Sequence, residues 1–251
     1  MKFIGACKTD IGKKKQNNED SFFFSQEQGI FLIADGMGGH AGGEIASDIA
    51  VKTIQKMFDN VKERVDKIPS IEKFIESSVL SSSALIKKET IARPELTGMG
   101  TTIVMCFALN EKIYVANVGD SRCYILTAGG DFRLLSKDHS QIQELIDRRI
   151  ITEEQAKKHP LRHVITQAVG YNDTLDVRIV DEDYRPNDYY LLCSDGLNDH
   201  FESDAEIKEL LKASIAESND DLELAAQKLV DKANELGGRD NITVMIFKTL
   251  E

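Results

Sequence analysis

The stretch from Phe31 to His40, Phe-Leu-Ile-Ala-Asp-Gly-Met-Gly-Gly-His, narrows what this chain can fold into more than any other. Its apolar run reads as a buried strand. The run ends in a carboxylate, Asp35. Glycines follow, and after Glu44 a helical pattern begins. An acid at the end of a core strand has little water to solvate it, and a buried charge that is neither paired nor on a metal is expensive. Asp35 therefore needs a cation, a proton or hydrogen bonds. The glycines let backbone approach a ligand closely, since they lack a Cβ and tolerate positive φ.

Two chemistries compete for this turn. Residues Gly36 to Ala41 fit the dinucleotide fingerprint G-x-G-x-x-[GA] between a strand and a helix. That fingerprint also wants an acid about 20 positions on, at the end of the next strand. Asp59 has the spacing, but it closes a helical stretch with no strand before it. The second chemistry is a metal site, with Asp35 as ligand and the Gly36 carbonyl free to join it.

A chain of 251 residues with 41% apolar residues can bury a substantial core as one large domain or two small ones. Its net charge of -11 argues against a nucleic-acid binder, which needs a basic footprint. Cys7, Cys106, Cys123 and Cys193 form no C-x-x-C pair and sit in apolar, strand-like contexts, which predicts buried free thiols. The start has no signal-peptide pattern. No run reaches the roughly 18 apolar residues of a membrane span. The expectation is a cytoplasmic monomer with no membrane tether and no nucleic-acid partner.

Along the chain, residues 2–7 read as a strand and 8–18 as a polar loop. Strands at 21–24 and 30–35 form a hairpin, which places Asp20 and Asp35 beside each other at one end of a sheet. Helices follow at 44–58 and near 70–90. Short strands then run at 100–107, 112–118, 121–126 and 132–134. The segment 137–165 reads as a polar surface excursion with two short helical pieces. Strands at 174–180 and 189–194 come next, then helices near 203–214 and 220–236, and a last strand at 242–247. The strands are apolar on both faces, so sheets covered on both sides are expected. The element order lacks regular βα alternation, which favours an α+β fold of packed antiparallel sheets with helices outside and disfavours a dinucleotide fold.

Five aspartates share one signature. Asp20, Asp35, Asp120, Asp195 and Asp240 lie at strand edges, three of them beside a glycine. Asp199 lies four residues past Asp195, on the same face if a helical turn starts there. Oxygen-only ligands select hard cations such as Mg²⁺, Mn²⁺ or Ca²⁺. Two such ions clamp an in-line displacement at phosphorus and activate the attacking water, so no amino-acid nucleophile is needed. In keeping with this, the chain has no G-x-S-x-G elbow and no G-K-[ST] phosphate loop.

These residues lie within a longer set: Asn18-Glu19-Asp20, Asp35-Gly36-Met37-Gly38-Gly39-His40, Gly100-Thr101-Thr102, Val118-Gly119-Asp120-Ser121-Arg122, Asp138-His139-Ser140, Leu192-Cys193-Ser194-Asp195-Gly196-Leu197 and Gly238-Arg239-Asp240-Asn241-Ile242-Thr243. In this order they resemble the motifs of the metal-dependent serine/threonine phosphatases of the protein phosphatase 2C family, over essentially the whole chain. The resemblance implies a single domain over 1–251. Its fold would be a four-layer α-β-β-α sandwich of two antiparallel sheets flanked by helix pairs. It implies hydrolysis of phosphoserine and phosphothreonine on proteins by in-line attack of a water held between two Mn²⁺ or Mg²⁺ ions. Asp35 would bridge the ions, and the Gly36 carbonyl, Asp195 and Asp240 would complete the ligand set. Asp20, with Glu19 beside it, would orient the water. Asp120 and Asp199, with Asp195, match a third metal site of bacterial members. His40 is a candidate general acid, competing with water for that role.

One position departs from the family pattern. An arginine usually stands two residues before the Asn17-Asn18-Glu19-Asp20 run, and here Lys15 occupies that place. Arginine grips phosphate through a bidentate fork, whereas lysine is a flexible point charge. Lys15 is expected to meet the substrate phosphate with looser geometry. The excursion 137–165 corresponds to the family's flap. Lys137, Arg148, Arg149, Lys157, Lys158 and Arg162 make it basic in an acidic chain, which suits acidic phosphopeptides. Implied partners are phosphoproteins, including substrates of Ser/Thr kinases and the kinases themselves. The alternative function is a catalytically inactive sensor or scaffold on the same fold.

Overall fold

The computed structural model describes residues 2–39, 42–156 and 159–250. The fold follows from strict alternation along its central strands. In β3 (Ile30–Met37) the side chains of Ile30, Leu32 and Ala34 join one apolar cluster, while Phe31 and Ile33 join another. The same split recurs in β5 (Ile103–Leu109), β10 (Tyr189–Cys193) and β11 (Ile242–Thr249). Successive side chains of a strand point to opposite faces, so a strand apolar at every position must be covered on both.

The covers are helices outside and a second sheet inside. One sheet holds β2 (Asp20–Ser25), β3, β5, β6 (Lys112–Val118) and β9 (Arg178–Asp183), with the short β4 (Gly100–Thr101) added on β3. The other runs β1 (Phe3–Asp10), β11, β10, β7 (Arg122–Leu126) and β8 (Phe132–Leu134). Every pairing is antiparallel. Between the sheets, the rings of Phe31 and Phe247 stack with centroids 3.8 Å apart. Helices α1 (Gly42–Asp59) and α2 (Ile71–Ala92) cover the first sheet through Ala50, Ile54, Ile75 and Val79. After α3 (Gln141–Asp147), α4 (Glu153–Ala156) and α5 (Asp195–Asn198), helices α6 (Asp204–Glu217) and α7 (Leu222–Glu235) cover the second. Asp221 caps α7 by accepting from the Glu223 and Leu224 amides, a contact worth about 1 kcal/mol. The layers are α-β-β-α, as the resemblance implied.

The register collects strand ends at one edge. Asp20 at the start of β2 stands opposite Asp35 near the end of β3. Ile103 at the start of β5 faces Val118 at the end of β6, and Asp120 follows two residues later. In the other sheet Arg122 faces Cys193 and Asp10 faces Ile242, so the ends of β1 and β10 meet the starts of β7 and β11. The excursion leaves from this edge and returns to it, closed by an isolated bridge between Ser140 and Ile165.

Some boundaries differ from the sequence reading. The first strand runs on through Lys8, Thr9 and Asp10, because all of it pairs with β11. The expected strand at 100–107 breaks at Thr102, whose amide turns to the Asp35 carbonyl. The strand expected at 174–180 is shifted to Arg178–Asp183, where it pairs with β6. The four cysteines are free; Cys106, Cys123 and Cys193 are buried and Cys7 is half-buried.

Candidate metal centre and phosphate site

Asp35 is held by its backbone, which leaves its carboxyl to face the other acids. Its amide donates to Thr102 Oγ1 at 3.0 Å. Its carbonyl accepts from the Thr102 amide at 2.8 Å and from Thr101 Oγ1 at 2.8 Å. Burial pushes the Asp35 carboxyl well above the ordinary range, and the charges of Asp20, Asp195, Asp120 and Asp240 push it further. Gly36 is dictated by space: a Cβ there would lie 2.1 Å from the Gly43 carbonyl oxygen and 2.6 Å from that of Glu19. This close approach brings the start of α1 against the end of β3.

Asp20 is held by its side chain. Its Oδ2 accepts from Thr243 Oγ1 at 2.6 Å and from Ser194 Oγ at 2.9 Å. Its Oδ1 is buried without a partner. Burial raises its pKa, the Thr243 and Ser194 hydroxyls lower it, Asp240 raises it, and the result is about 6. Asp195 opens α5, and its Oδ1 is likewise buried without a partner. One turn on, the Asp199 amide donates to the Asp195 carbonyl at 2.9 Å, so both acids sit on one short turn. A Cβ at Gly196 would lie 2.0 Å from the Asn241 carbonyl oxygen, which is how α5 comes to press on the start of β11.

Asp240 and Asp199 each meet a basic side chain. Lys15 Nζ lies 2.6 Å from Asp240 Oδ1. His163 Nδ1, on the returning arm of the excursion, lies 2.6 Å from Asp199 Oδ2. Arg162 Nε donates to His163 Nε2 at 2.8 Å, so the proton facing Asp199 is on Nδ1. Asp120 neighbours Asp199 and Asp138. Burial and these two charges raise its carboxyl, Arg122 lowers it, and it stands at about 7. Arg122 is engaged by Asp138, with Nε 3.0 Å from Oδ1 and Nη2 2.7 Å from Oδ2.

Glu19 lies beside Lys15, and burial raises its carboxyl above the ordinary range. His40, Lys157 and Lys158 lie outside the described residues. Lys137 and Arg148 are partly neutralised within the excursion by Asp147 at 2.6 Å and Glu144 at 3.7 Å.

Four residues at this edge were not singled out from sequence: Thr102, Ser194, Asn241 and Thr243. Asn241 is the most connected. Its Nδ2 donates to the carbonyls of Ile11 at 3.0 Å and Asn17 at 2.9 Å, and its Oδ1 accepts from the Glu19 amide at 2.8 Å. One side chain thus sets both ends of the loop that carries Lys15. All four lie inside the motifs already quoted, as small polar residues next to the acids, and that placement was the available signal. Asn241→Ala is expected to leave the chain folded and to lower kcat/KM on a phosphopeptide about 10- to 100-fold, a loss of ~1.4–2.8 kcal/mol from misplaced groups. Unchanged kcat/KM would show that the staple is dispensable.

The donor set fits divalent ions. It is all oxygen, two carboxylate oxygens are buried with no partner, and Asp20, Asp35 and Asp195 are pushed up by burial and then by neighbouring carboxylates. No three His, Cys, Asp or Glu side chains among the described residues close on a single point. The acids line a shared space, in which each feels the others' charge. The dinucleotide reading fails here, because the glycine turn meets a ring of carboxylates that would repel a pyrophosphate.

The sequence profile of protein phosphatase 2C matches residues 10–232. A serine/threonine phosphatase, stp, of Listeria monocytogenes is 35% identical over 248 residues, covering 96% of this chain and 94% of the relative. The crystal structure of the Mycobacterium tuberculosis serine/threonine phosphatase PstP/Ppp superposes with a TM-score of 0.88 at 30% identity, covering 100% of both chains. A catalytic domain of the serine/threonine phosphatase PstP in complex with two manganese ions superposes with a TM-score of 0.84 at 29% identity, covering 100% of this chain and 99% of that one. With this sandwich and this edge of aspartates, the chain belongs to the protein phosphatase 2C family.

Proposed function

We propose that this chain hydrolyses phosphoserine and phosphothreonine monoesters on proteins at a centre of two Mn²⁺ or Mg²⁺ ions. The observation that carries this is the cross-strand pair Asp20–Asp35, with the charges of Asp120, Asp195 and Asp240 facing it. Asp35, Asp195, Asp240 and the Gly36 carbonyl would hold the ions, with Asp120 and Asp199 supplying a third site. Bound there, the ions neutralise phosphoryl charge and activate water for in-line attack. Asp20 is arranged to take part in proton handling. Its Oδ2 is fixed by two hydroxyls, and its unpartnered Oδ1 is left to accept a proton from the attacking water. Each expected ligand position carries its aspartate, which favours an enzyme over an inactive scaffold.

The first test is hydrolysis of a phosphothreonine peptide with Mn²⁺, with Mg²⁺ and with EDTA, beside Asp195→Asn. Turnover that the chelator and the substitution both abolish is expected. A folded, Mn²⁺-binding protein with no turnover would move the reading to a non-catalytic sensor.

Lys15 is the proposed phosphate contact. Lys15→Ala should raise KM for a phosphopeptide about tenfold with a smaller change in kcat, since a charge-assisted contact is worth ~1.5 kcal/mol or more. An unchanged KM would remove Lys15 from substrate binding. The flap is proposed to select acidic peptides. Arg148→Glu with Arg149→Glu should cut the preference for acidic over neutral phosphopeptides about threefold to tenfold at low salt. Equal discrimination before and after would end that idea.

Substrates of Ser/Thr kinases, and the kinases themselves, are the proposed opponents. No helix among the described residues is long and apolar enough to cross a membrane. A cytoplasmic monomer is the form proposed.

A further inference from the structure

Lys15 is placed by its loop as well as by its charge. The Lys13 amide donates to the Gly238 carbonyl at 2.7 Å. Asn241 ties Ile11 and Asn17 to the same turn. A Cβ at Gly12 would lie 2.2 Å from the Asp240 carbonyl oxygen, so the loop is pressed against the segment that bears Asp240. From this fixed base Lys15 reaches Asp240 Oδ1 at 2.6 Å, and that oxygen also accepts the Asn241 amide at 2.8 Å. Among the described residues no other Lys or Arg lies within ion-pair distance of Asp20, Asp35, Asp195 or Asp240. The Lys15 ammonium is a full positive charge set against a carboxylate of the metal centre.

An ammonium is a compact point charge on a flexible stem, with a choice of partners that a planar guanidinium fork lacks. We infer that Lys15 competes with the divalent ion for Asp240: the ammonium neutralises this carboxylate until an ion displaces it, and the displaced ammonium then turns to the phosphate. This rests on Asp240 being a metal ligand. It also ties metal loading to substrate binding, because the same ammonium is available for phosphate only once Asp240 has another cation.

The experiment is a titration with Mn²⁺ alone, without phosphate, following free Mn²⁺ by its electron paramagnetic resonance. It compares wild type, Lys15→Gln, Lys15→Arg, Lys14→Gln and Asp240→Asn. An ion pair of this exposure is worth up to about 1 kcal/mol, so Lys15→Gln is expected to bind Mn²⁺ about three- to fivefold more tightly at low salt. The gain should shrink at high ionic strength as the pair is screened. Lys15→Arg keeps the cation and should bind no more tightly than wild type. Lys14→Gln removes an exposed lysine of the same loop and should change nothing, which separates displacement from a general loss of positive charge. Equal or weaker binding by Lys15→Gln, or the same gain from Lys14→Gln, overturns the inference. Wild-type Mn²⁺ affinity in Asp240→Asn would instead overturn the ligand assignment beneath it.

Discussion

Asp35→Asn is expected to lower phosphopeptide turnover by about a thousandfold or more, ~4 kcal/mol in the barrier, and to make the chelated protein more stable. Both effects have one cause. Asp35 faces the charges of Asp20, Asp195, Asp120 and Asp240, and burial lets little water offset them. Without a cation, one fewer carboxyl relieves repulsion. With a cation, the ligand proposed to bridge the ions is gone. Removing a buried like charge is worth about 1–2 kcal/mol here, which for a domain of this size raises the melting temperature by about 3–6 °C in EDTA. The Mn²⁺-induced rise expected of wild type should be largely lost. The backbone bonds from Thr101 and Thr102 to residue 35 do not depend on its carboxyl, so the fold should persist. A variant that melts lower than wild type in EDTA, or that still turns over, contradicts this account.

The second large effect is a pH dependence whose direction depends on metal. Burial is the first cause that lifts Asp20 to about 6 and Asp120 to about 7, from an ordinary 3.8. A carboxyl whose folded pKa lies above its unfolded value binds its proton more tightly when folded. Its contribution is complete below the unfolded pKa and falls away as pH rises to the folded one. The chelated protein should therefore lose stability between about pH 4 and pH 7. Each pKa unit corresponds to about 1.4 kcal/mol. Discounted for a site that opens to solvent, the total is about 2–4 kcal/mol, or about 5–10 °C. Divalent ions need the carboxylates deprotonated, so the gain from Mn²⁺ runs the other way and grows with pH. At a hundred times its dissociation constant, an ion adds about 2.7 kcal/mol per site. Melts at pH 5.5 and 7.5, in EDTA and in Mn²⁺, check both slopes. A chelated protein that melts higher at pH 7.5 than at pH 5.5 would refute the linkage.

Part of this protein was legible in its residues because it is encoded locally. The hairpin of β2 and β3 follows from two apolar runs and a short turn, and its register put Asp20 opposite Asp35, as the structure has it. Strands apolar at every position required covered sheets, and the helix faces of α1 and α7 supplied the covers. The acids at strand edges could be read as a set, because solvation makes an unpaired carboxylate costly there whatever the topology.

What tertiary structure alone decided is which groups meet. Asp20 gains hydroxyls from Ser194 and Thr243, which lie more than a hundred residues away along the chain, because β10 ends and β11 begins beside Asp20 across the sandwich. Asn241 ties the Lys15 loop to the metal centre by a long-range contact that no local pattern announces. Lys15 was expected at the substrate phosphate and His163 was not singled out, yet Lys15 pairs with Asp240 and His163 meets Asp199. Thr102 leaves its strand to hold the Asp35 backbone. Alternation and apolar runs specify layers, because burying surface is nondirectional. Hydrogen bonds and ion pairs are directional and short, so their partners exist only once the layers have closed.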